Sequence, residues 1–303
     1  MNAPQRTLSW DDALTRLEEA DRRIALAAGV VDLLHPDAPQ IAEDILRFLA
    51  WRYPDADPVA EYIRRAEALA ALQERFDREP SVATLSGPAE PVPRDRYNIS
   101  LLLSIVLTNH RFEIMQQLEA FLVGCTAPAA RIASVGTGTG YELRLMARAL
   151  QPGWTIESYD TDETVRTDAQ HYLDFFGVTR PVIWGNDFPL DEVSSDFRAQ
   201  YSAIVLCEVL EHLPNPLQSL RSVREYLAPG GRAFVTMAVN IAQEDHIFWY
   251  PDADSCRLQV REAGLKIVSE WVTSQTTLPP PADREAAFRR GNYVAVAVSA
   301  SGG

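Results

Sequence analysis

Apolar residues recur at helical spacing through the first third of the chain. Ser9 has the character of an N-cap, with Asp11 and Asp12 in the first turn, where carboxylates suit the helix dipole. From there Leu14, Leu17, Ile24 and Ala28 predict a helix reaching Val31. A second helix is predicted over 39–51, with Ile41, Ile45, Leu46 and Leu49 on one face. A third is predicted over 58–78, with Val59, Tyr62, Ile63, Ala66 and Leu69 inward. Pro80, Pro88, Pro91 and Pro93 then forbid a sustained helix or central strand, so about 79–96 reads as a linker. The pattern over 98–123 predicts one long helix or a broken pair. No strand pattern occurs before about residue 125.

After Pro128 the period changes. Short apolar runs at 132–135, 155–159, 181–184, 203–207, 232–237, 266–272 and 293–298 predict strands. Helical patterns at 142–150, 163–176, 216–227 and 252–263 lie between them. Such alternation predicts an α/β fold: a parallel sheet with helices on both faces. The last two strands are joined by 274–291 with no clear helix, which favours an antiparallel pair. The expected organisation is a helical region over 1–125 and an α/β unit over 126–303.

Composition narrows the function. Of 303 residues 47% are hydrophobic and 23% charged, as in an ordinary globular protein. A net charge of −14 opposes a phosphate backbone, so no nucleic-acid partner is expected. Cys125, Cys207 and Cys256 are isolated, which fits reduced thiols rather than a disulfide framework or a zinc site, and no metal is expected. No leader-like or membrane-length apolar run is present, so the expectation is a cytoplasmic protein without a membrane partner.

The densest chemistry lies at residues 131–141. A buried strand runs into Gly136, Gly138 and Gly140, with Ser134, Thr137 and Thr139 among them, and a helix follows at once. This is how an α/β sheet opens a nucleotide-type site. Tyr141 stands where a dinucleotide fingerprint needs its third glycine, which counts against a pyrophosphate. Asp160 ends the second strand, twenty residues after Gly140, where a carboxylate accepts both ribose hydroxyls; capping the next helix is the alternative. Asp187 and Phe188 follow the third strand, Cys207 and Glu208 the fourth.

The ordered series Val135–Gly140, Ser158-Tyr159-Asp160, Asn186-Asp187-Phe188, 207–216 and 227–231 resembles the class I S-adenosylmethionine-dependent methyltransferases. Within them it is most similar to the ubiquinone- and menaquinone-biosynthesis type. The resemblance covers about residues 131–299. It implies a Rossmann-like sheet of seven strands in the order 3-2-1-4-5-7-6, with strand seven antiparallel. It implies S-adenosylmethionine as cofactor. Gly136, Gly138 and Gly140, flanked by Ser134 and Thr137, would line its methionine part and sugar. Asp160, beside Thr161, would hold the ribose, Asp187 and Phe188 the adenine, and Cys207 and Glu208 would lie beneath. Family members usually carry an acid at the place of Ser134; Glu142, Glu208 or a water would substitute.

The reaction so implied is methyl transfer to an oxygen or nitrogen of a small molecule in specialised or cofactor metabolism. A base is needed only for an acceptor that arrives protonated. His212 after strand four is the first candidate base, with packing beside the cofactor as its alternative. His246 and His110 are weaker candidates, and His35 and His171 read as surface or helix-end residues. Tyr97, Phe248, Trp249 and Tyr250 are candidate walls for the acceptor; the last three equally suit a loop pinned to the core. The N-terminal helices are a candidate lid or homodimer contact. A cofactor-bound but non-methylating reaction, a non-catalytic partner role and peptide methylation are the alternatives.

Overall fold

In the computed structural model residues 8–85, 92–275 and 288–299 are described. Seven helices come first: α1 Trp10–Ala20, α2 Arg22–Leu34, α3 Ala38–Arg52, α4 Pro58–Arg78, the single turn α5 Val82–Leu85, α6 Arg94–Leu107 and α7 Asn109–Val123. Ser9 caps α1 as expected, its Oγ accepting from Asp12 N–H at 3.1 Å. The run predicted as far as Val31 breaks at Asp21. There the backbone is extended (φ −147°) and the carboxylate accepts from Arg23 N–H at 2.9 Å, capping α2. An Asp offers this local alternative to the helix ladder, and apolar spacing alone does not reveal it. Of the two readings of 98–123, the broken pair is the one observed, with the break at Thr108 (φ −135°). The proline-rich stretch holds α5; residues 86–91 of it lie outside the described residues.

The second part alternates β1 Ala129–Val135, α8 Tyr141–Ala149, β2 Gly153–Tyr159, α9 Glu163–Phe175, β3 Val182–Gly185, β4 Tyr201–Leu206, α10 Pro216–Tyr226, β5 Leu227–Val239, α11 Ala253–Glu262, β6 Leu265–Ser274 and β7 Gly291–Ser299. Asp162, Asn215 and Asp252 cap α9, α10 and α11 through their side chains. The sheet order is 3-2-1-4-5-7-6. Strands β1 to β5 are parallel, and β7 runs antiparallel to both β5 and β6. Strand β5 takes in the segment 227–231 that reads as a turn; Gly230 holds φ +75° there, and pairing with β4 shifts register beyond Tyr201. Of the connection 274–291, residues 276–287, with Pro279, Pro280, Pro281 and Arg284, lie outside the described residues.

Register places the site. Val135 pairs with Tyr159 and with Leu206, and Leu206 pairs with Val235. Three strand tips, β1, β2 and β4, therefore end level while β5 runs on to Val239, and Gly136, Asp160, Cys207 and Thr236 stand together on the carboxyl edge. The helical region is not a separate body. Trp10, Leu46 and Leu103 share one apolar core with Ile132, Phe234 and Val294 on one face of the sheet. Tyr201, Leu220, Tyr226 and Cys256 fill the other face. No described helix is long and apolar enough to cross a membrane.

Candidate functional site

At the end of β1 the chain makes a left-handed turn with φ of +74°, +55° and +85° at Gly136, Gly138 and Gly140. A Cβ on Gly140 would stand 2.9 Å from the Ala169 carbonyl oxygen, so α8 and α9 can pack closely only with glycine here. At Gly138 no heavy atom lies within 4 Å of such a Cβ, so bare backbone faces open space. Asp160 fastens this turn to β2. One carboxylate oxygen accepts from Thr137 N–H at 3.0 Å, the other from Asp162 N–H at 2.9 Å. Asp160 lies at the cavity edge; the cap of α9 is Asp162, whose N–H Asp160 holds.

That edge opens into a cavity of about 940 Å³. Its floor is the tip of β4. Glu208 holds a left-handed backbone (φ +57°), rare for a residue with a Cβ. Its N–H donates to Thr236 Oγ1 at 2.7 Å, and the Thr236 hydroxyl donates back to its carboxylate at 2.6 Å. Asn292 Nδ2 donates at 2.7 Å, and Arg111 stands 3.4 Å away. Burial drives the Glu208 pKa upward, but Arg111 and Thr236 more than offset it and hold the group ionised. Burial raises both the Glu142 carboxyl and the Cys207 thiol, which face the same space.

The far end gathers three histidines. His110, on α7, has a pKa lowered to about 4 by burial and by the Arg111 charge. His246 is also lowered to about 4, by burial and by His212. His246 Nδ1 donates to the Ile241 carbonyl at 2.9 Å, and His212 Nδ1 to the Asp245 carbonyl at 3.0 Å. Their rings lie 4.9 Å apart, nearly perpendicular. Glu211 is fully buried beside them, and neither carboxylate oxygen has a partner among the described residues. Burial, then the charge of Glu208, pushes its pKa well up.

Helix α4 roofs this end with Tyr62, Arg65, Leu69 and Gln73. It is tied to the loop after β5: Arg65 pairs with Glu244, and Gln73 both donates to the Asn240 carbonyl at 3.0 Å and accepts from Ala242 N–H at 2.9 Å. Tyr97, from α6, lies under Arg65 and Arg94, whose guanidinium carbons are 5.8 and 5.5 Å from its ring centre.

Gly136, Gly138, Asp160, Thr161, Cys207, Glu208, Tyr97 and the three histidines thus border one cavity. Others take different places. Ser134 is buried in β1 opposite Ser158, and the Thr137 hydroxyl bonds the Ser158 hydroxyl at 2.8 Å behind the turn. Gly140 caps α8 against α9. Asp187 is exposed outside the cavity. Phe188, expected at the adenine, is buried in an aromatic cluster with its centre 5.0 Å from Tyr159 and 5.3 Å from Tyr226. Hydrophobic burial outcompetes a solvent-facing position for that ring. The loop aromatics do not wall the cavity either. Tyr250 is buried and bonds Gln259 at 2.6 Å, Phe248 packs on Tyr250, and Trp249 meets Phe76 edge-on while bonding Asn240 at 2.9 Å. His35, read as a surface or helix-end residue, ends α2 but is buried and stacks on Phe112 at 4.4 Å. Sequence reasoning missed Arg111, Arg65 and Glu211. The only signal was proximity: Arg111 follows His110, and Glu211 precedes His212.

A family model described as a methyltransferase domain matches residues 107–270, more than half of the chain. No curated protein matches the sequence. Among solved structures the chain is similar to the (4+2)-cyclase SpnF, at 17% identity, with 61% of this chain and 81% of that one covered and a TM-score of 0.48. It is also similar to a SAM-dependent methyltransferase from Aquifex aeolicus, at 11% identity, 64% and 91% coverage and a TM-score of 0.44. A third, an S-adenosylmethionine-dependent methyltransferase from Mesorhizobium loti, gives 14% identity, 59% and 95% coverage and a TM-score of 0.43. The extent of the family match, together with the sheet order 3-2-1-4-5-7-6, places the chain in the class I S-adenosylmethionine-dependent methyltransferase family, and S-adenosylmethionine is its cofactor.

Proposed function

We propose that the protein transfers a methyl group from S-adenosylmethionine to an oxygen or nitrogen of a small molecule. The observation that supports this most is the single cavity of about 940 Å³, which joins the glycine turn to the histidine end. It lies near the top of the roughly 300–1,000 Å³ range of ligand sites, which leaves room for an acceptor beside the cofactor. The lining fits the cofactor: bare backbone at Gly138 admits close approach, and the Asp160 carboxylate offers acceptors to sugar hydroxyls. The bound cofactor supplies an electrophilic methyl on a sulfonium, whose departing thioether needs no proton.

The chain's own contribution is then alignment. Asp160, held by two backbone N–H groups, orients the sugar without reorganising. Glu208 and Glu142 supply negative charge beneath a cationic ligand. Tyr97 and the α4 roof exclude water from the acceptor end. For a hydroxyl acceptor, His212 Nε2 takes the proton, because Nδ1 already carries the hydrogen donated to Asp245. The test is incubation with methyl-labelled cofactor and a panel of phenols, alcohols, carboxylates and amines. Labelled acceptor and S-adenosylhomocysteine in equal amounts are expected. Cofactor binding with every acceptor mass unaltered overturns the proposal.

A further inference from the structure

Glu211, His212 and His246 form a cluster that the methyl-transfer argument leaves half explained. Each offers one ligand atom, and these atoms all lie within 4.8 Å of one another. All three residues line the cavity. Zinc-like ions bind imidazole nitrogen and carboxylate oxygen at roughly 2.0–2.2 Å, so neighbouring ligand atoms on one ion stand about 3.0–3.6 Å apart. From a spread of up to 4.8 Å the cluster closes onto an ion by a movement of about an ångström, within reach of side-chain rotation.

The hydrogen-bonding around the rings points the same way. A backbone carbonyl can only accept, so the bonds from His212 Nδ1 to Asp245 and from His246 Nδ1 to Ile241 fix the hydrogen on Nδ1. In each neutral ring the lone pair is then on Nε2. A ring N–H held by a backbone carbonyl is the usual support of a metal-bound histidine. Glu211 adds a second, independent sign. Its side chain is fully buried and both carboxylate oxygens lack a partner among the described residues. Its own carbonyl is held at 2.9 and 3.0 Å by Ile247 and Phe248 N–H, which fixes the acid against the loop that carries His246. Two lone-pair nitrogens and an unpaired carboxyl group converge at the cavity wall, Glu211 and His246 buried and His212 half-buried, and lack only a cation.

We propose that Glu211, His212 and His246 bind a divalent first-row transition cation, which holds an oxygen of the acceptor. Two imidazoles and one carboxylate without a thiolate suit manganese, iron, cobalt or zinc better than magnesium or calcium, which prefer all-oxygen shells. Three protein ligands leave coordination positions for an exogenous oxygen, and a hydroxyl so held is more acidic; with the cation bound, His212 Nε2 is a ligand rather than the base, and the hydroxyl proton passes to solvent. The acceptor class is therefore a hydroxyl-bearing molecule rather than an amine. This use rests on the methyl-transfer reading, but binding of the cation does not.

The experiment takes chelator-treated protein and titrates it with Co²⁺ and with Mn²⁺ by calorimetry, following Co²⁺ by its visible absorption. A single equivalent with nitrogen-ligand absorption bands is expected. His246→Ala and Glu211→Gln should each weaken binding by about 100-fold or more, while S-adenosylmethionine affinity changes by less than about threefold. No stoichiometric binding to the wild-type protein, or binding that survives both substitutions unchanged, overturns the site. If His246→Ala does not fold, the wild-type spectrum and Glu211→Gln decide alone. If methyl transfer fails with every acceptor but the cation binds as expected, only the proposed use is lost.

Discussion

The two ends of the cavity are made of different materials. The cofactor end is backbone: a turn of three glycines and one carboxylate, supplied by neighbouring strand tips. The far end is side chains, brought from α4, α6, α7, the turn after β4 and the loop after β5. A backbone cradle is fixed by the fold, whereas side chains held by tertiary contacts can be exchanged without altering the sheet. Substitutions at the far end should therefore move stability and acceptor use, and those at the glycine end cofactor affinity.

The largest effect is expected from Glu208→Ala. It leaves Arg111, with 11% of its side chain exposed, without its partner. Breaking a buried pair in this way costs about 3–5 kcal/mol, to be read from urea unfolding. A loss below about 1 kcal/mol would show that solvent reaches the pair. Next comes acid sensitivity. His110 titrates near 6.5 in an unfolded chain and at about 4 here, because of burial and Arg111. Its contribution is complete above the unfolded value and is lost as pH falls towards the folded one, up to about 3 kcal/mol. His110→Gln should flatten that part of the profile between about pH 6.5 and 4.

Asp160→Ala tests the other end. Losing a charge-assisted bond to the sugar should cost about 1.5–3 kcal/mol of cofactor binding, or roughly 10- to 150-fold in calorimetry. Unchanged affinity would remove Asp160 from the site. The smallest effect is expected for Gly140→Ala, about 1–2 kcal/mol of stability, from a left-handed backbone and the nearby Ala169 oxygen. A melting temperature equal to wild type would mean that the α8–α9 contact yields easily.

The sequence was legible where function is local. Glycines at alternate positions and Asp160 at a strand tip each lie within a few residues, and the strand–helix alternation showed the fold class; the sheet order was implied by the family resemblance that these motifs carry. It was illegible where burial decided. Phe188 reads as an adenine contact by resemblance, and only the aromatic cluster with Tyr159 and Tyr226 shows it in the core. Arg111 and Glu211 carry no motif of their own; their importance comes from partners far along the chain or from the lack of one. The break at Asp21 was masked because apolar spacing continues across it.

Gln73 grips the loop after β5 at both Asn240 and Ala242, and Arg65 grips it again at Glu244. The next residues of that loop carry His246. The α4 roof and the loop that carries His246 are therefore one mechanical unit, and a displacement of either is felt by the other.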